Sequence, residues 1–168
     1  MKSGLISLGF TAFLGLQGAV CAAPITLAAP SDLSLDVQQS QQKNQPLVVF
    51  FSLPDCSYCE EVRQNYLTPL IRDVPPSDQV LIREVSMVSN APLKGFKGES
   101  LTQAQLAKQY KIKVAPTVLM LGKDGVLLAK PLVGAGMAGF YGAYLDNAFE
   151  AAHRTLQQGS SQPAAGSK

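Results

Sequence analysis

Residues 47–59, LVVFFSLPDCSYC, join an uninterrupted apolar run to two cysteines with two residues between them. The run at 47–51 has the composition of a central strand that is covered on both faces of a sheet. A helix that begins at the cysteines would offer Cys56 unpaired backbone N–H groups and a positive dipole end, which favour thiolate over thiol. Cys59 is then placed to resolve a mixed disulfide. This stretch therefore predicts a strand, a turn and a helix that carry a site for thiol–disulfide exchange.

The first residues predict a targeting segment. Lys2 supplies one positive charge, residues 5–20 carry none, and small residues crowd positions 19–23. This is the order of a secretory signal peptide, and we expect cleavage after Ala22 or Ala23. The predicted location of the mature chain is the periplasm.

Two other fates of this segment stay open. It could remain as a membrane anchor, although the apolar run is short for a helix that spans a bilayer. It could also belong to a lipoprotein that is acylated at Cys21, but Val20 stands where such a signal has a small residue. A membrane-anchored form is therefore the alternative to a free periplasmic one.

The mature chain is long enough for one domain with its own core. Removal of residues 1–22 leaves 146 of the 168 residues, and the net charge falls from +2 to about +1 because Lys2 is lost. This balance gives no indication of binding to nucleic acid or to an anionic membrane surface. Cys21 leaves with the signal, so the pair at 56 and 59 remains, which in an exported chain is better explained as reactive than as a structural staple.

Apolar periodicity and turn residues divide the chain into four segments. We expect a signal peptide at 1–22, a leader with one helix at 23–45, the main domain at 46–158 and a disordered polar tail at 159–168. The predicted elements are helix 33–44, strand 47–51, a helix 56–65 followed by a short turn from Pro69, a parallel strand 80–85, helix 102–110, strand 113–121, an antiparallel strand 126–133 and helix 138–157. The last helix is predicted to carry one apolar side, made of Phe140, Tyr144, Leu145, Phe149 and Ala152.

This order of helices and strands is that of the thioredoxin fold, an α/β fold with a mixed central sheet between helices. Residues 47–156 resemble the thioredoxin superfamily, and within it they look most like exported thioredoxin-like proteins of the SoxW type. The resemblance is carried by FFSLPDCSYC at 50–59, LAKQYKIKVAPT at 106–117 and GKDG at 122–125.

The resemblance implies a substrate site beside the cysteines. Pro116 matches the family's proline with a cis peptide bond, which would leave the backbone groups of Ala115 free to pair with an extended substrate segment. Ser57 and Tyr58, between the cysteines, complete the predicted substrate-binding set, and Gly134 matches a glycine after the last strand. The alternative for Pro116 is a trans proline in an edge strand, without a part in the reaction.

Two departures from thioredoxins bear on the chemistry. Thioredoxins have a buried acid six residues before the first cysteine, where this chain has Phe50, and a tryptophan immediately before that cysteine, where it has Asp55. The charge of Asp55 opposes thiolate formation at Cys56, and a strong oxidant requires a stabilised thiolate. We therefore expect a reductase or a mild exchanger, with a membrane electron donor that recharges it and a substrate protein that contains a disulfide.

The same residues leave other functions open. A disulfide isomerase or oxidase is the nearest alternative, but exported isomerases of this superfamily carry a dimerisation domain for which residues 23–46 are too short, so we expect a monomer. A copper(I) chaperone is an alternative of another class, with Met87 and Met137 as unplaced ligands. Zinc needs four ligands as a rule, and His153 is the one histidine. We expect no metal and no cofactor.

Arg83 and Glu84 are adjacent charged residues in a predicted central strand. We expect a salt bridge at the end of the strand to explain them, because buried charges are rare. The alternative is that one of the two approaches the cysteines from below.

Overall fold

The computed structural model describes residues 26–136 and 139–160, so the predicted signal peptide and residues 161–168 of the predicted tail lie outside the described residues. Its helices are α1 (Leu33–Gln42), α2 (Ser57–Val62), α3 (Pro69–Arg72), α4 (Gln103–Gln109) and α5 (Tyr141–Ser160). Its strands are β1 (Leu47–Ser52), β2 (Leu81–Ser86), β3 (Pro92–Lys94), β4 (Ser100–Thr102), β5 (Thr117–Leu121) and β6 (Leu132–Val133).

Four of the strands form a mixed sheet in the order β2-β1-β5-β6, which confirms the predicted thioredoxin fold. Strand β1 runs parallel to β2 and antiparallel to β5, and β5 pairs antiparallel with β6. Every residue of β1 is buried. The continuous apolar run at 47–51 is therefore the strand in the middle of the core, as its composition predicted.

The two faces of β1 belong to two separate hydrophobic clusters. Val48 and Phe50 pack in one cluster, which also contains Cys59 and buried residues of α5. Leu47, Val49 and Phe51 pack in the other, with residues of α1 and α4. Because successive strand residues point to opposite faces, this alternation places Phe50 on the same side of the sheet as the cysteines.

Two carboxylates fix helix α1. Asp32 binds its first turn, and Asp36 within the helix binds Arg83 of the sheet. Asp32 caps it, since its Oδ1 accepts hydrogen bonds from the backbone N–H groups of Ser34 at 3.0 Å and Leu35 at 3.2 Å. The helix ends at Gln42, two residues before the predicted end, because Asn44 takes a left-handed conformation with φ 53°.

The α-helix that was predicted at 56–65 is shorter in the structure and continues as a π-helix. Regular α2 covers Ser57–Val62, a π-helical turn follows at Arg63–Leu67, and α3 starts at Pro69, the residue at which a short restart was predicted. Proline suits the first turn of a helix because it has no backbone N–H to leave unpaired.

The connection between β2 and α4 contains a hairpin that the sequence did not indicate. Strands β3 and β4 pair antiparallel within it. Helix α4 then begins with a capping box, in which the side chain of Thr102 accepts from the Gln105 backbone and the Gln105 side chain accepts from the Thr102 backbone. Thr102 is thus the N-cap of this helix.

The second half of the sheet is less regular than predicted. Strand β5 begins at Thr117 rather than at 113, directly after Pro116, and β6 is limited to Leu132–Val133 rather than 126–133. Before β6, the described contacts to β5 are an isolated bridge of Leu127 to Leu121 and a hydrogen bond from the Leu128 backbone to Met120. A proline has no N–H for a ladder, and Pro131 stands immediately before β6.

Helix α5 buries part of the predicted face. Tyr141, Leu145, Ala148 and Ala152 are buried, whereas Phe140 is 67% exposed and Tyr144 is 42% exposed. The prediction was right for Leu145 and Ala152 and for Phe149, which packs against the core, and wrong for Phe140 and Tyr144. The helix runs to Ser160, two residues beyond the predicted domain end, and its predicted start at 138 lies outside the described residues. Among the helices described here, none has the length and apolar character needed to cross a membrane.

Candidate active site

The cysteine pair lies at the end of the central strand and the beginning of α2. Strand β1 ends at Ser52, and the exposed loop that follows turns through Asp55, whose φ is 54°. Cys56 is the N-cap of α2, and its Sγ accepts a hydrogen bond from the Cys59 backbone N–H at 3.1 Å. A side chain that accepts from the first turn of a helix replaces the bond that this N–H cannot make within the helix.

The structure contains the disulfide Cys56–Cys59, with the two Cα atoms 5.2 Å apart. The two sulfurs differ in access: Cys56 is partly exposed, whereas Cys59 is completely buried. Ser57 and Tyr58 between them are exposed, Tyr58 by 62%. A nucleophile must reach its substrate, so this geometry fits attack by Cys56 and resolution by Cys59.

The Ala115–Pro116 peptide bond is cis, as the resemblance implied. The bond lies at the same edge of the sheet as the cysteines, because Phe51 of β1 pairs with Thr117, the first residue of β5. Ala115 packs against the hydrophobic cluster that contains Cys59. The fold therefore brings the predicted substrate residues 57, 58, 115 and 116 to one end of the molecule.

Gly134 lies behind this proline. Its backbone N–H donates to the Pro116 carbonyl at 2.7 Å, and its φ of 76° is in the region that favours glycine. The nearest heavy atom to a Cβ at this position would be 3.9 Å away. Glycine is therefore favoured here by the positive φ and not by crowding from other atoms of the chain.

A cavity of about 590 Å³ opens beside Cys56. It is lined by the loop after β1, by the first turns after the cysteines and by the end of β2. Its charged lining residues are Asp55, Glu60, Arg63 and Glu84.

An ion-pair network lies inside this cavity. Arg63 donates from Nε to Glu84 Oε2 at 2.9 Å and from Nη2 to Oε1 at 2.6 Å, and its Nη1 pairs with Glu60. Ser52 donates its hydroxyl to the same Glu84 Oε1 at 2.6 Å. The side chains of Arg63 and Glu84 are only 16% and 18% exposed. Hydrogen bonding to Glu84 and the charge of Glu84 raise the pKa of Arg63 against the opposing effect of burial, so the guanidinium stays charged.

Arg63 connects this network to the cysteines and to Phe50. Its backbone N–H donates to the Cys59 carbonyl, and its guanidinium lies over the Phe50 ring, 5.7 Å from the centroid. Phe50 is also the register partner of Glu84 in the parallel pair β1–β2. Glu84 therefore reaches the side of the sheet where the resemblance expected an acid and the sequence has a phenylalanine.

Both charged residues of β2 form salt bridges, each with a residue of another element. Arg83 pairs with Asp36 of α1, from Nε at 2.9 Å and from Nη2 at 2.6 Å, and Glu84 pairs with Arg63. Because adjacent residues of a strand point to opposite faces, Arg83 and Glu84 could not both face one side. That alternation is the sequence signal that one of the two would lie under the cysteines.

The residues considered as additional ligands lie elsewhere. His153 is half-buried in α5 and stacks on Phe149 with ring centroids 6.5 Å apart. Met87 packs against the cluster on the other face of the sheet, and Met137 lies outside the described residues. Within 26–136 and 139–160, no three His, Cys, Asp or Glu side chains are grouped as a metal site would require.

A comparison of the chain with known protein families agrees with this fold. The family model of the thioredoxin-like domain covers residues 33–148, which is more than half of the chain. The chain belongs to the thioredoxin-like domain family. The fold with its cysteine pair supports a thiol–disulfide oxidoreductase. No curated protein sequence matches the chain significantly.

Solved structures share the fold at low sequence identity. A thioredoxin-fold protein from Helicobacter pylori is 17% identical, with 69% of this chain and 80% of that one covered and a TM-score of 0.50. Oxidised mitochondrial thioredoxin 3 from Saccharomyces cerevisiae is 21% identical, with 74% and 93% covered and a TM-score of 0.48. The oxidised C-terminal domain of DsbD from Neisseria meningitidis is 19% identical, with 72% and 99% covered and a TM-score of 0.47.

Proposed function

We propose that this chain is an exported thioredoxin-like protein of the SoxW type that reduces disulfides of substrate proteins through Cys56 and Cys59. The observation that carries the proposal is the asymmetry of the pair. Cys56 is accessible and accepts the Cys59 backbone N–H at its Sγ, whereas Cys59 is buried behind it. That hydrogen bond also favours the thiolate of Cys56 in the reduced protein.

The reaction takes place in two exchanges. The Cys56 thiolate attacks one sulfur of a substrate disulfide, the substrate S–S bond breaks, and the second substrate sulfur leaves as a thiolate. Cys59 then loses its proton and attacks Cys56 Sγ, which breaks the mixed disulfide and releases the other substrate thiolate. The substrate gains two electrons, and the protein is left with the Cys56–Cys59 disulfide.

The charges around Cys56 support the reducing direction. Three carboxylates, Asp55, Glu60 and Glu84, border its cavity, and Arg63 is the single cation among the lining residues. Negative charge disfavours a thiolate, and a less stabilised thiolate makes a couple more reducing. The same charges count against a strongly oxidising protein.

The substrate would bind across the exposed end of the fold. Ser57 and Tyr58 are accessible there, and the backbone at Ala115 and Pro116 would pair with an extended segment of the substrate protein. The signal-like residues 1–22 support export to the periplasm, free or membrane-anchored, and an exported reductase needs a membrane electron donor. We expect the protein to work as a monomer.

Serine variants of the two cysteines test the proposal. With reduced protein and a disulfide-containing substrate protein, Cys56→Ser should abolish exchange, because the nucleophile is lost. Cys59→Ser should accumulate a covalent complex with the substrate that dithiothreitol releases. An active Cys56→Ser protein would contradict the assignment, and copper(I) uptake without turnover on disulfides would favour the chaperone alternative.

A further inference from the structure

The buried cysteine has to lose a proton during the reaction. In the mixed disulfide Cys59 is a thiol, and its attack on Cys56 requires the thiolate. Cys59 is completely buried within the core, in the same cluster as Phe50. Phe50 has no group that could accept the proton, so the acceptor is water or a group on another element.

Glu84 is a carboxylate that the structure places beside Phe50. It is the register partner of Phe50 on the neighbouring strand, and it borders the cavity that Cys56 also lines. It is bound by Arg63, whose backbone N–H contacts the Cys59 carbonyl one helical turn after that cysteine. The cavity thus joins Cys56, the disulfide partner of Cys59, to a fixed carboxylate.

We propose that Glu84 accepts the proton of Cys59 when Cys59 resolves the mixed disulfide, and that the proton crosses the cavity beside Cys56. The S–H bond of Cys59 breaks and an O–H bond forms at Glu84, while the Cys59 sulfur attacks Cys56 Sγ and the substrate sulfur leaves with its electron pair. Glu84 returns the proton to solvent through the open cavity. The inference rests on the proposed function and adds a positioning role for Arg63, which fixes this carboxylate.

The other charged groups at the cavity are less suited to this role. Glu60 is bound by the same Arg63, but its side chain is 58% exposed. Asp55 is exposed in the loop before the helix. From the leader, Glu84 meets the uncharged Ala28 carbonyl, which accepts its backbone N–H at 2.9 Å. Of the three carboxylates that line the cavity, Glu84 is therefore the one that is partly buried.

The resolving step can be measured separately from the first attack. Reduced protein is mixed rapidly with dithiodipyridine, a neutral disulfide whose released thiopyridone absorbs light. The first release reports attack by Cys56 and depends on reagent concentration, whereas the second reports attack by Cys59 within the molecule and does not. Since thiopyridone needs no proton to leave, the second rate follows deprotonation of Cys59.

Glu84→Gln should slow the second release by about 100-fold, at the lower end of what a positioned proton acceptor contributes. It should also remove the fall of the wild-type second rate at acidic pH, and Glu84→Asp should restore both in part. The first release should change by less than about threefold, the size of a modest change in local charge.

Asp36→Asn is the matched control. It weakens the other arginine–carboxylate pair of strand β2, Arg83 with Asp36, on the opposite face of the sheet from the cysteines. Its second rate and pH profile should equal those of the wild type. A Glu84→Gln protein with the second rate and pH profile of this control would overturn the inference while leaving the proposed function intact.

Two further outcomes are separable. If wild-type protein releases no thiopyridone at either cysteine, the proposed function itself fails. If Glu84→Gln does not fold, the double variant Arg63→Gln and Glu84→Gln, which leaves no cation unpaired, replaces it in the same assay. A wild-type second rate in that variant would equally overturn the inference.

Discussion

Replacement of Asp36 by alanine tests whether α1 is fixed to the sheet by a buried ion pair. The Asp36 carboxylate accepts two hydrogen bonds from Arg83, at 2.9 and 2.6 Å, and the two side chains are 9% and 21% exposed. The variant keeps the arginine and removes its partner. A charge that has lost its partner in a largely buried place is strongly destabilising.

The expected loss is about 3 kcal/mol in the free energy of unfolding. Breaking a buried pair from one side costs about 3–5 kcal/mol. The lower end applies because 21% of the Arg83 side chain is exposed, so its head can turn towards water. Replacing both partners, Asp36→Ala with Arg83→Met, should cost less than the sum of the two single losses, because no unpaired charge remains.

Urea unfolding of the oxidised protein, followed by circular dichroism, measures these values. We expect a lower midpoint with an unchanged slope, which indicates a loss of stability without a change in the unfolded state. Exchange by the reduced variant should equal that of the wild type, since the pair lies on the face away from the cysteines. A loss below about 1 kcal/mol, typical of exposed pairs, would refute the reasoning.

Three further changes have definite expected results. Thr102→Ala removes the capping box at α4 and should cost about 1 kcal/mol in urea unfolding. Gly125→Ala should cost about 2 kcal/mol or more by the same measurement, because its φ is 75° and the new Cβ would collide with the Tyr110 hydroxyl and the Phe96 ring. Burial raises the pKa of Tyr110 to about 12. The stability that its neutral phenol contributes is therefore complete below about pH 10 and is lost as the pH rises towards 12, and Tyr110→Phe should flatten this fall in an alkaline titration of stability.

Each of these expectations has a contradicting result and a control. Thr102→Ser keeps a capping hydroxyl and should be near the wild type, so equal losses in the serine and alanine variants would count against the cap. Gly98→Ala is the control for Gly125, since Gly98 also has a positive φ but no atom near its Cβ position. If Tyr110→Phe loses stability with alkaline pH as steeply as the wild type, Tyr110 does not account for the fall.

The central part of the fold could be predicted because local and tertiary signals agree there. Residues 47–51 are apolar on both faces of the strand, and such a run favours a strand that is buried in the middle of a sheet. The cysteines after it fixed the position of the site, and Pro116 fixed the cis peptide bond beside it. These features depend on neighbours in the sequence or on a motif with one structural solution.

The elements that were missed depend on packing between distant parts of the chain. The position of α5 against the sheet determines which of its faces is buried. Tyr141 is buried, whereas Tyr144 is exposed. The hairpin β3–β4 has three residues in each strand, too few for a clear alternation. Glu84 was foreseen only as an alternative, because the sequence shows the charge in the strand but not the Arg63 that makes its burial tolerable.

The reduction potential of the Cys56–Cys59 couple tests the central claim most directly. The domain from residue 23 onwards is equilibrated in glutathione buffers, and the fraction of free thiol is measured by alkylation and mass. A value near about −250 mV or lower is the result that a reductase with its own electron donor predicts. A value between about −120 and −180 mV would contradict the reducing direction and identify an oxidase or isomerase instead.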